Sequence, residues 1–457
     1  MIGRIAAVVL TLALVLPPAG RAAELTLAYA LDIALERNRS LTSAQARVAE
    51  QEAAVKAARA DRWPSLDFSQ RLTRIDDNTV NRANAAAEGL SQLIGIEIPP
   101  FVYQDGYRTQ FELAVPLWTS GGLAATIAAE RRSLNARRAD QEAARRAIRS
   151  EVVGRFFALA AAGEVRLARA QAFERAERRL AETEHRLEVG LTTRQEVLRW
   201  QVEVEGARAD LAASEADVFV ARLELADVLE RGPEKIGEPR LPAAELVAAF
   251  LAWADGLEPY DVLARAEDEL DTLPEVRAAR AQAAASESAI RGARAARWPR
   301  LDAAASYGWL ENDTLELDEF EDWSATVRLT VPIDLRGRLR AQIARTTARR
   351  TAAETAIADT RATMRLALGR ALAEVIRART RLRSAARAAD EAAARRQLLA
   401  RQTEVGLTGL LDLIDADTTL VAAEVAHATA RVELLAAVAA LEITWPGADP
   451  PGGGLIP

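Results

Sequence analysis

Hydrophobic residues follow two different periods along this chain. Over residues 26–62 they recur at three- and four-residue steps, which predicts an amphipathic helix. That helix is expected to end at Trp63-Pro64, because the residue before a proline avoids the helical region. Apolar and polar residues then alternate at about 66–73 and again at about 107–116, which predicts two strands with one apolar face each.

Long helical patterns follow the strands. Residues 120–188 and 335–404 contain no proline, and about 70 residues at 1.5 Å each would make a rod of roughly 105 Å. Helices of that length persist when they bury a stripe along their whole length, as coiled coils do. A glycine ends each pattern, and a return helix of about half the length is predicted after it.

The same order of predicted elements occurs twice along the chain. Residues 58–67, which contain the Trp-Pro pair, return as 293–302 at a spacing of 235 residues. A Val-Gly-Leu-Thr segment that begins at Val189 returns at Val405, at a spacing of 216 residues. Matches at several ordered places indicate an internal duplication. Each copy is predicted to contain a helix, a β-hairpin and a long helix.

The patterns divide the chain into five segments. These are a signal peptide at 1–23, a first repeat at 24–230, a connector at 231–260, a second repeat at 261–445 and a disordered tail at 446–457. The second repeat is predicted to contain strands at about 301–310 and 323–332. Arg4 and the apolar run after it indicate the signal peptide. The alternative, a membrane anchor, needs roughly 20 apolar residues, and the run has about a dozen.

Composition excludes several classes of function. The chain has no cysteine, so it carries no disulfide and no lipid on an N-terminal cysteine. A net charge of −7 does not favour a nucleic-acid partner. His185 and His427 lie in helical patterns, and the sequence contains no nucleotide-binding loop or nucleophile motif. No enzyme activity, no cofactor and no metal are therefore predicted.

The four strands point to a membrane β-barrel shared between chains. Each run of about 9–11 residues can cross an outer membrane when tilted, but a closed barrel has at least eight strands. Two copies would give eight strands and three would give twelve. Eight strands enclose only side chains, whereas twelve leave a lumen, so a duct favours a trimer. The predicted fold is mainly α with a membrane β-barrel.

Aromatic residues and loops refine this prediction. Five tryptophans near the strand ends are predicted to form an aromatic girdle in the membrane, with ordinary strand composition as the alternative. They are Trp63, Trp118, Trp298, Trp309 and Trp323. The loops 74–106 and 311–322 are expected to face outward. The second is acidic, either as a solvated loop or as a contact for divalent ions that bridge lipopolysaccharide.

Over nearly all of residues 24–445 the chain resembles the TolC family of outer-membrane efflux proteins, which share this duplicated plan. The two Val-Gly-Leu-Thr segments match the family's helix-tip motif, which is thought to dock on a periplasmic adaptor. The tip residues are Val189, Gly190, Leu191, Thr192, Val405, Gly406, Leu407 and Thr408. The resemblance implies a homotrimer in the outer membrane of a Gram-negative bacterium. Its twelve-stranded barrel would be continuous with a long α-helical periplasmic tunnel.

The resemblance also implies a gate at the periplasmic entrance. Asp412 and Asp415 are similar to two aspartates that ring this entrance in the family, and their spacing puts them on one helix face. The alternative is that they are acids favoured at a helix N-terminus. Glu196 matches a gate-associated acidic position. The family's tyrosine and arginine partners correspond to Thr403 and Thr408, which puts that latch in doubt.

Two functions of different classes follow. The first is an outer-membrane channel subunit, the passive exit duct of a tripartite efflux or type I secretion system. Its partners would be outer-membrane lipid, a periplasmic adaptor and an inner-membrane pump of RND, ABC or MFS type. The alternative is an exported coiled-coil structural protein or a periplasmic adaptor without a pore. That alternative accounts for the long helices but not for four strands of barrel length.

Overall fold

The computed structural model describes residues 25–456 apart from 97, 99, 101, 312–320, 405 and 406, so the predicted signal peptide lies outside it. The described chain is mainly helical. Its α-helices are α1 Leu27–Arg37, α2 Arg39–Ala60, α3 Asp77–Ile94, α4 Gly122–Glu188, α5 Arg194–Val228, α6 Ala244–Asp255, α7 Pro259–Ala266, α8 Pro274–Ala295, α9 Arg338–Glu404 and α10 Leu410–Thr444. Its strands are β1 Ser65–Arg74, β2 Asp105–Trp118, β3 Arg300–Glu311 and β4 Glu321–Thr330.

The chain forms two compact units, and each contains segments of both repeats. The helical unit consists of the described residues of Met1–Thr42, Ala144–Leu270 and Thr363–Pro457. The sheet unit consists of Ser43–Ala143 and Asp271–Ala362. The helices α4 and α9, of 67 residues each, contribute to both units. No helix in the described part of the chain combines the length and the apolarity needed to cross a membrane.

The core of the helical unit forms around the last part of α10. From Ala430 to Leu441 this helix buries residues on almost every side, which is typical of a helix surrounded by others. On α4, Phe156 and Phe157 meet edge to face with their ring centres 5.3 Å apart. Arg146 of α4 donates to the carbonyl oxygens of Ile443 and Thr444 at 2.8 Å each. These bonds satisfy the free carbonyls at the end of α10 with a cation.

The structure differs from the sequence prediction at the C-terminal tail, which is folded. The carboxylate of Glu442 accepts hydrogen bonds from the backbone N–H groups of Leu455 and Ile456 at 3.0 Å. Three successive glycines, Gly452 to Gly454, have positive φ and turn the chain back toward this carboxylate. Burial raises the pKa of the Glu442 carboxyl, although the two N–H bonds oppose the shift. A tail without hydrophobic periodicity is thus ordered by its backbone.

The helix predicted over 26–62 is two helices. α1 ends before Asn38, whose backbone is extended, with φ −61° and ψ 127°. The Asn38 side chain accepts a hydrogen bond from the N–H of Ser40 at 2.9 Å. Asparagine side chains compete with the helix for backbone donors in this way, and they favour helix starts. The break lies at Asn38 for that reason.

The four strands form one antiparallel sheet in the order β1-β2-β3-β4. β2 of the first repeat pairs with β3 of the second, from Tyr107 opposite Glu311 to Trp118 opposite Leu301. The register shifts between Pro116 and Trp118, because proline has no N–H to donate and a central strand accepts it only at a bulge.

Two further boundaries differ from the prediction. β4 ends at Thr330, whereas the alternation predicted a strand to 332, where a proline removes the donor. The predicted loop 74–106 contains the helix α3. Asp76 caps α3 by accepting from Thr79 N–H at 3.1 Å. Asn84 fixes the returning chain by donating to the Val102 carbonyl at 2.6 Å and accepting from its N–H at 2.9 Å. These polar contacts of Asp76 and Asn84 order α3 and the chain that returns from it.

Candidate functional site

The sheet has an apolar face that is exposed in the part of the chain that the structure describes. Phe68, Phe111, Tyr307 and Trp323 are successive partners across the four strands, so they form one row on one face. The rings of Phe68 and Phe111 have centres 5.1 Å apart. These four side chains are between 41% and 71% exposed. An apolar surface of this kind requires an apolar medium or a partner.

The opposite face of the same sheet is polar. Asp67, Glu112, Ser306 and Ser324 are partners in the neighbouring row, and the hydroxyls of the two serines are 2.8 Å apart. Residues of this face line a hollow of about 1310 Å³. Gly308 also lies on this face, and a side chain at that position would overlap the carbonyl oxygen of Thr109. The sheet therefore separates an apolar side from a concave polar side, as the strands of outer-membrane barrels do.

The two outer strands have free edges. β1 pairs only with β2, and β4 pairs only with β3, among the residues that the structure describes. All ten residues of β1 and all ten of β4 are exposed. An uncovered strand edge is a row of unpaired N–H and C=O groups that can bind another strand. The arrangement can accept one further strand at each side.

The five predicted girdle tryptophans lie toward both ends of the sheet. Trp63 and Trp298 precede β1 and β3, and Trp118 ends β2, so these three share one end. Trp309 and Trp323 lie toward the other end. Trp118 is opposite Leu301, which is eight positions before Trp309, or about 26 Å along a strand. Outer-membrane barrels have an apolar band of roughly 25 Å between two aromatic girdles.

The first predicted tip is a glycine-ended turn between α4 and α5. Gly190 has φ 77°, and the Leu191 N–H donates to the carbonyl of Arg186 at 2.8 Å. This bond spans five residues and closes the helix end as in a Schellman motif. Val189 and Leu191 are 56% and 69% exposed. The turn therefore presents two apolar side chains to solvent.

The second tip repeats the hydrogen bond of the first. The Leu407 N–H donates to the carbonyl of Gln402 at 2.8 Å, which is the same bond 216 positions later. Leu407 is 75% exposed. Thr403 and Thr408 contact each other through their hydroxyls at 3.1 Å. Val405 and Gly406 lie outside the described residues.

The predicted entrance residues lie just after the second tip. Asp412 and Asp415 are both exposed on the first turns of α10. The Asp412 carboxylate accepts from the Gly409 N–H at 3.3 Å, which is a helix-capping contact. The Asp415 carboxylate pairs with the Arg395 guanidinium of α9 at 3.2 Å. One acid thus bonds to backbone and the other to a cation.

The remaining candidates are not brought to one site. Glu196 bonds to the Thr192 hydroxyl within the first tip, while Thr403 and Thr408 bond to each other in the second. The two histidines lie on different helices, and His185 is 3.6 Å from Glu188. The latch positions therefore hold a pair of hydroxyl groups rather than an aromatic and a cationic side chain.

Sequence reasoning missed a charged cluster behind the entrance residues. Arg396 of α9 pairs with Asp417 of α10 at 2.8 Å, and their side chains are 22% and 19% exposed. Burial, and then the Asp417 carboxylate, raise the pKa of Glu203 on α5. Arg396 of α9 and Asp417 of α10 are about 20 positions apart, which is beyond the reach of any helical spacing rule. Their contact follows only from how the helices pack.

The chain is similar in sequence to known outer-membrane proteins. The family model described as outer membrane efflux protein matches residues 30–230 and 266–445. The chain is 27% identical over 325 residues to protein CyaE of Bordetella pertussis, over 69% of this chain and 62% of that protein. It is 25% identical over 320 residues to the pyoverdine export outer membrane protein OpmQ of Pseudomonas putida, over 68% of this chain. The match spans 62% of each relative, which is less than two thirds of its length.

A solved structure shows the fold. The chain superposes on the outer membrane protein VceC from Vibrio cholerae with a TM-score of 0.74, over 94% of this chain and 96% of that one. The two sequences are 19% identical, so the likeness is one of fold.

Proposed function

The chain belongs to the outer membrane efflux protein family, and we propose that it forms the exit duct of a tripartite efflux or type I secretion system. Membership confirms the resemblance that the sequence suggested, and proteins of this family are channels rather than enzymes. One observation carries the proposal. The four-stranded sheet has an exposed apolar face, a concave polar face and two free edges.

Three copies would satisfy the free edges. In lipid, every backbone N–H and C=O group needs a partner within the protein, and four strands cannot close on themselves. If β4 of one chain pairs with β1 of the next around a threefold axis, twelve strands close into a barrel. The polar face then lines a water-filled lumen. The row of Phe68, Phe111, Tyr307 and Trp323 faces the outer-membrane lipid.

The helical units of the three copies would line a passage in the periplasm. The tips would dock on the helical hairpin of a periplasmic adaptor that is bound to an inner-membrane pump of RND, ABC or MFS type. The exposed side chains of Val189, Leu191 and Leu407 support this docking, because apolar anchors at a turn fit between the side chains of a partner helix. Energy for export comes from the pump, and the duct is passive.

The acidic residues after the second tip would form the periplasmic entrance. Asp412 and Asp415 are exposed on the same side of α10, so three copies would bring six carboxylates around one axis. Rings of carboxylates attract cations and repel anions in pores. Charge at this point would set the selectivity of the duct.

The shared barrel can be tested by disulfide trapping, since the chain has no cysteine of its own. Ser69→Cys on β1 would be combined in turn with a cysteine at each of four polar-face positions of β4. These positions are Asp322, Ser324, Thr326 and Arg328. At least one combination is expected to give disulfide-linked dimers and trimers on a non-reducing gel, and Ser69→Cys alone should give none.

The same preparations should conduct ions in planar bilayers. A pore-free coiled coil or adaptor, the alternative function, would give neither cross-links nor conductance. Monomers from all four combinations, together with silent bilayers, would refute the shared barrel.

A further inference from the structure

Two arginines on α9 face the acids that follow the second tip, and the two pairs differ in exposure. Arg395 meets Asp415 at 3.2 Å, and these side chains are 55% and 66% exposed. Arg396 meets Asp417 at 2.8 Å, with side chains only about a fifth exposed. The second pair is packed between helices. The pair of Arg395 and Asp415 is exposed to solvent.

Asp412 differs from Asp415 in its partner. Its carboxylate bonds to the backbone N–H of Gly409, which leaves its negative charge intact. The charge of Asp415 is matched by the guanidinium beside it. The two entrance acids of one chain therefore contribute about one net negative charge, and three chains contribute about three rather than six.

We propose that Arg395 is a selectivity-determining residue, which sets the charge of the periplasmic entrance by neutralising Asp415. The inference rests on the proposed channel, and it adds a residue of α9 to an entrance otherwise formed from α10. The channel would be less cation-selective than its two entrance aspartates alone predict.

The charge of Arg395 acts whether or not the ion pair is strong. An exposed pair contributes about 0–1 kcal/mol to stability, so removing the guanidinium should leave the fold intact. An ion that passes within about 8 Å still experiences the charge at physiological ionic strength. Selectivity should therefore respond to Arg395 while the stability of the chain does not.

The test is the reversal potential of single channels in planar bilayers under a KCl gradient, for the full chain and its variants. Arg395→Gln is expected to raise the ratio of potassium to chloride permeability at least about twofold, with block by trivalent cations at lower concentration. Arg387→Gln is the matched control. It removes the same charge from α9 about 12 Å farther from the tip, and it should leave the ratio unchanged.

A charge swap separates charge from shape. Arg395→Asp combined with Asp415→Arg keeps the net charge and reverses the pair, so its permeability ratio should return to that of the unmodified channel. Because the reversal potential does not depend on how often channels open, a variant that gates differently still reports its selectivity.

The outcomes separate this inference from the function on which it rests. If Asp412→Asn with Asp415→Asn lowers cation selectivity but Arg395→Gln leaves it unchanged, the role of Arg395 is refuted and the acidic entrance stands. Equal shifts in Arg395→Gln and Arg387→Gln would also refute it. If the double asparagine variant changes nothing, the acidic entrance itself is wrong. An absence of conductance in the unmodified protein would overturn the channel.

Discussion

Phe156 and Phe250 of the helical unit are 1% and 0% exposed, whereas Phe68 and Trp323 of the sheet unit are 60% and 71% exposed. Both units come from the same duplicated sequence, and both follow regular apolar periods. In the helical unit the apolar stripes meet one another within one chain. In the sheet unit, no other part of the chain that the structure describes covers the apolar face. The helical unit can thus build its core alone, while the sheet unit depends on lipid and on neighbouring copies.

The largest effect is expected in the core of the helical unit. Phe156→Ala should lower the free energy of unfolding by about 3–5 kcal/mol, because it removes a fully buried ring and leaves a cavity. Loss of helical circular dichroism on heating or in denaturant would measure it. Phe219, which is 61% exposed on α5, is the matched control, and its change to alanine should cost within about 0.5 kcal/mol. An equal loss at Phe219 would mean that neighbouring copies complete this unit too, which would break the comparison.

The next effect is expected on the apolar face of the sheet. Phe111→Arg should destabilise the membrane-inserted trimer by about 2–4 kcal/mol, which is the cost of a cation facing lipid near the bilayer centre. Gln110→Arg adds the same charge one position away on the polar face, and it should be tolerated. The heat stability of trimers on gels would measure both. The assignment of faces would be wrong if Gln110→Arg were the more damaging change.

The smallest effect concerns pH in the helical unit. The folded-state pKa of Glu442 is raised above its ordinary value of 4.5, so the protonated form favours folding. The contribution is fully present below 4.5 and is lost as pH rises through the raised pKa. Glu442→Gln should therefore flatten the decline in stability between acidic and neutral pH, measured by thermal melts across that range. An unchanged slope would contradict the assignment of this pH dependence to Glu442.

Most of the fold could be predicted from local patterns. Trp63-Pro64 ends α2, the long helices match the proline-free runs within a few residues, and the alternation of β1 is one residue shorter at each end than the strand itself. These features depend on steric rules and on periods that a short window contains. The same reasoning missed α3, the break at Asn38 and the folded tail, which side-chain caps and glycine turns decide.

The candidate site was less accessible to sequence. The tips could be found because Gly190 and its repeat end long patterns. The partner of Asp415 could not, because Arg395 is 20 positions away and only the packing of α9 against α10 brings the two groups together. Likewise, nothing in the alternation of a single strand indicates that β2 pairs with β3 across the two repeats. Roles at the girdle and the tips stay predictions, and the selectivity measurements above test the role of the entrance.

The pairing of β2 with β3 has a consequence for how the protein matures. Tyr107 and Glu311 are sequence-distant partners, and contacts of such high order form slowly because the intervening chain must first lose its freedom. The first hairpin emerges from the export machinery with its apolar face uncovered, and it must wait for about 200 further residues before its neighbour arrives. During that interval it is prone to aggregate. The newly exported chain should therefore need a holding chaperone, and its need should end only once the complete sheet has entered lipid beside its neighbouring copies.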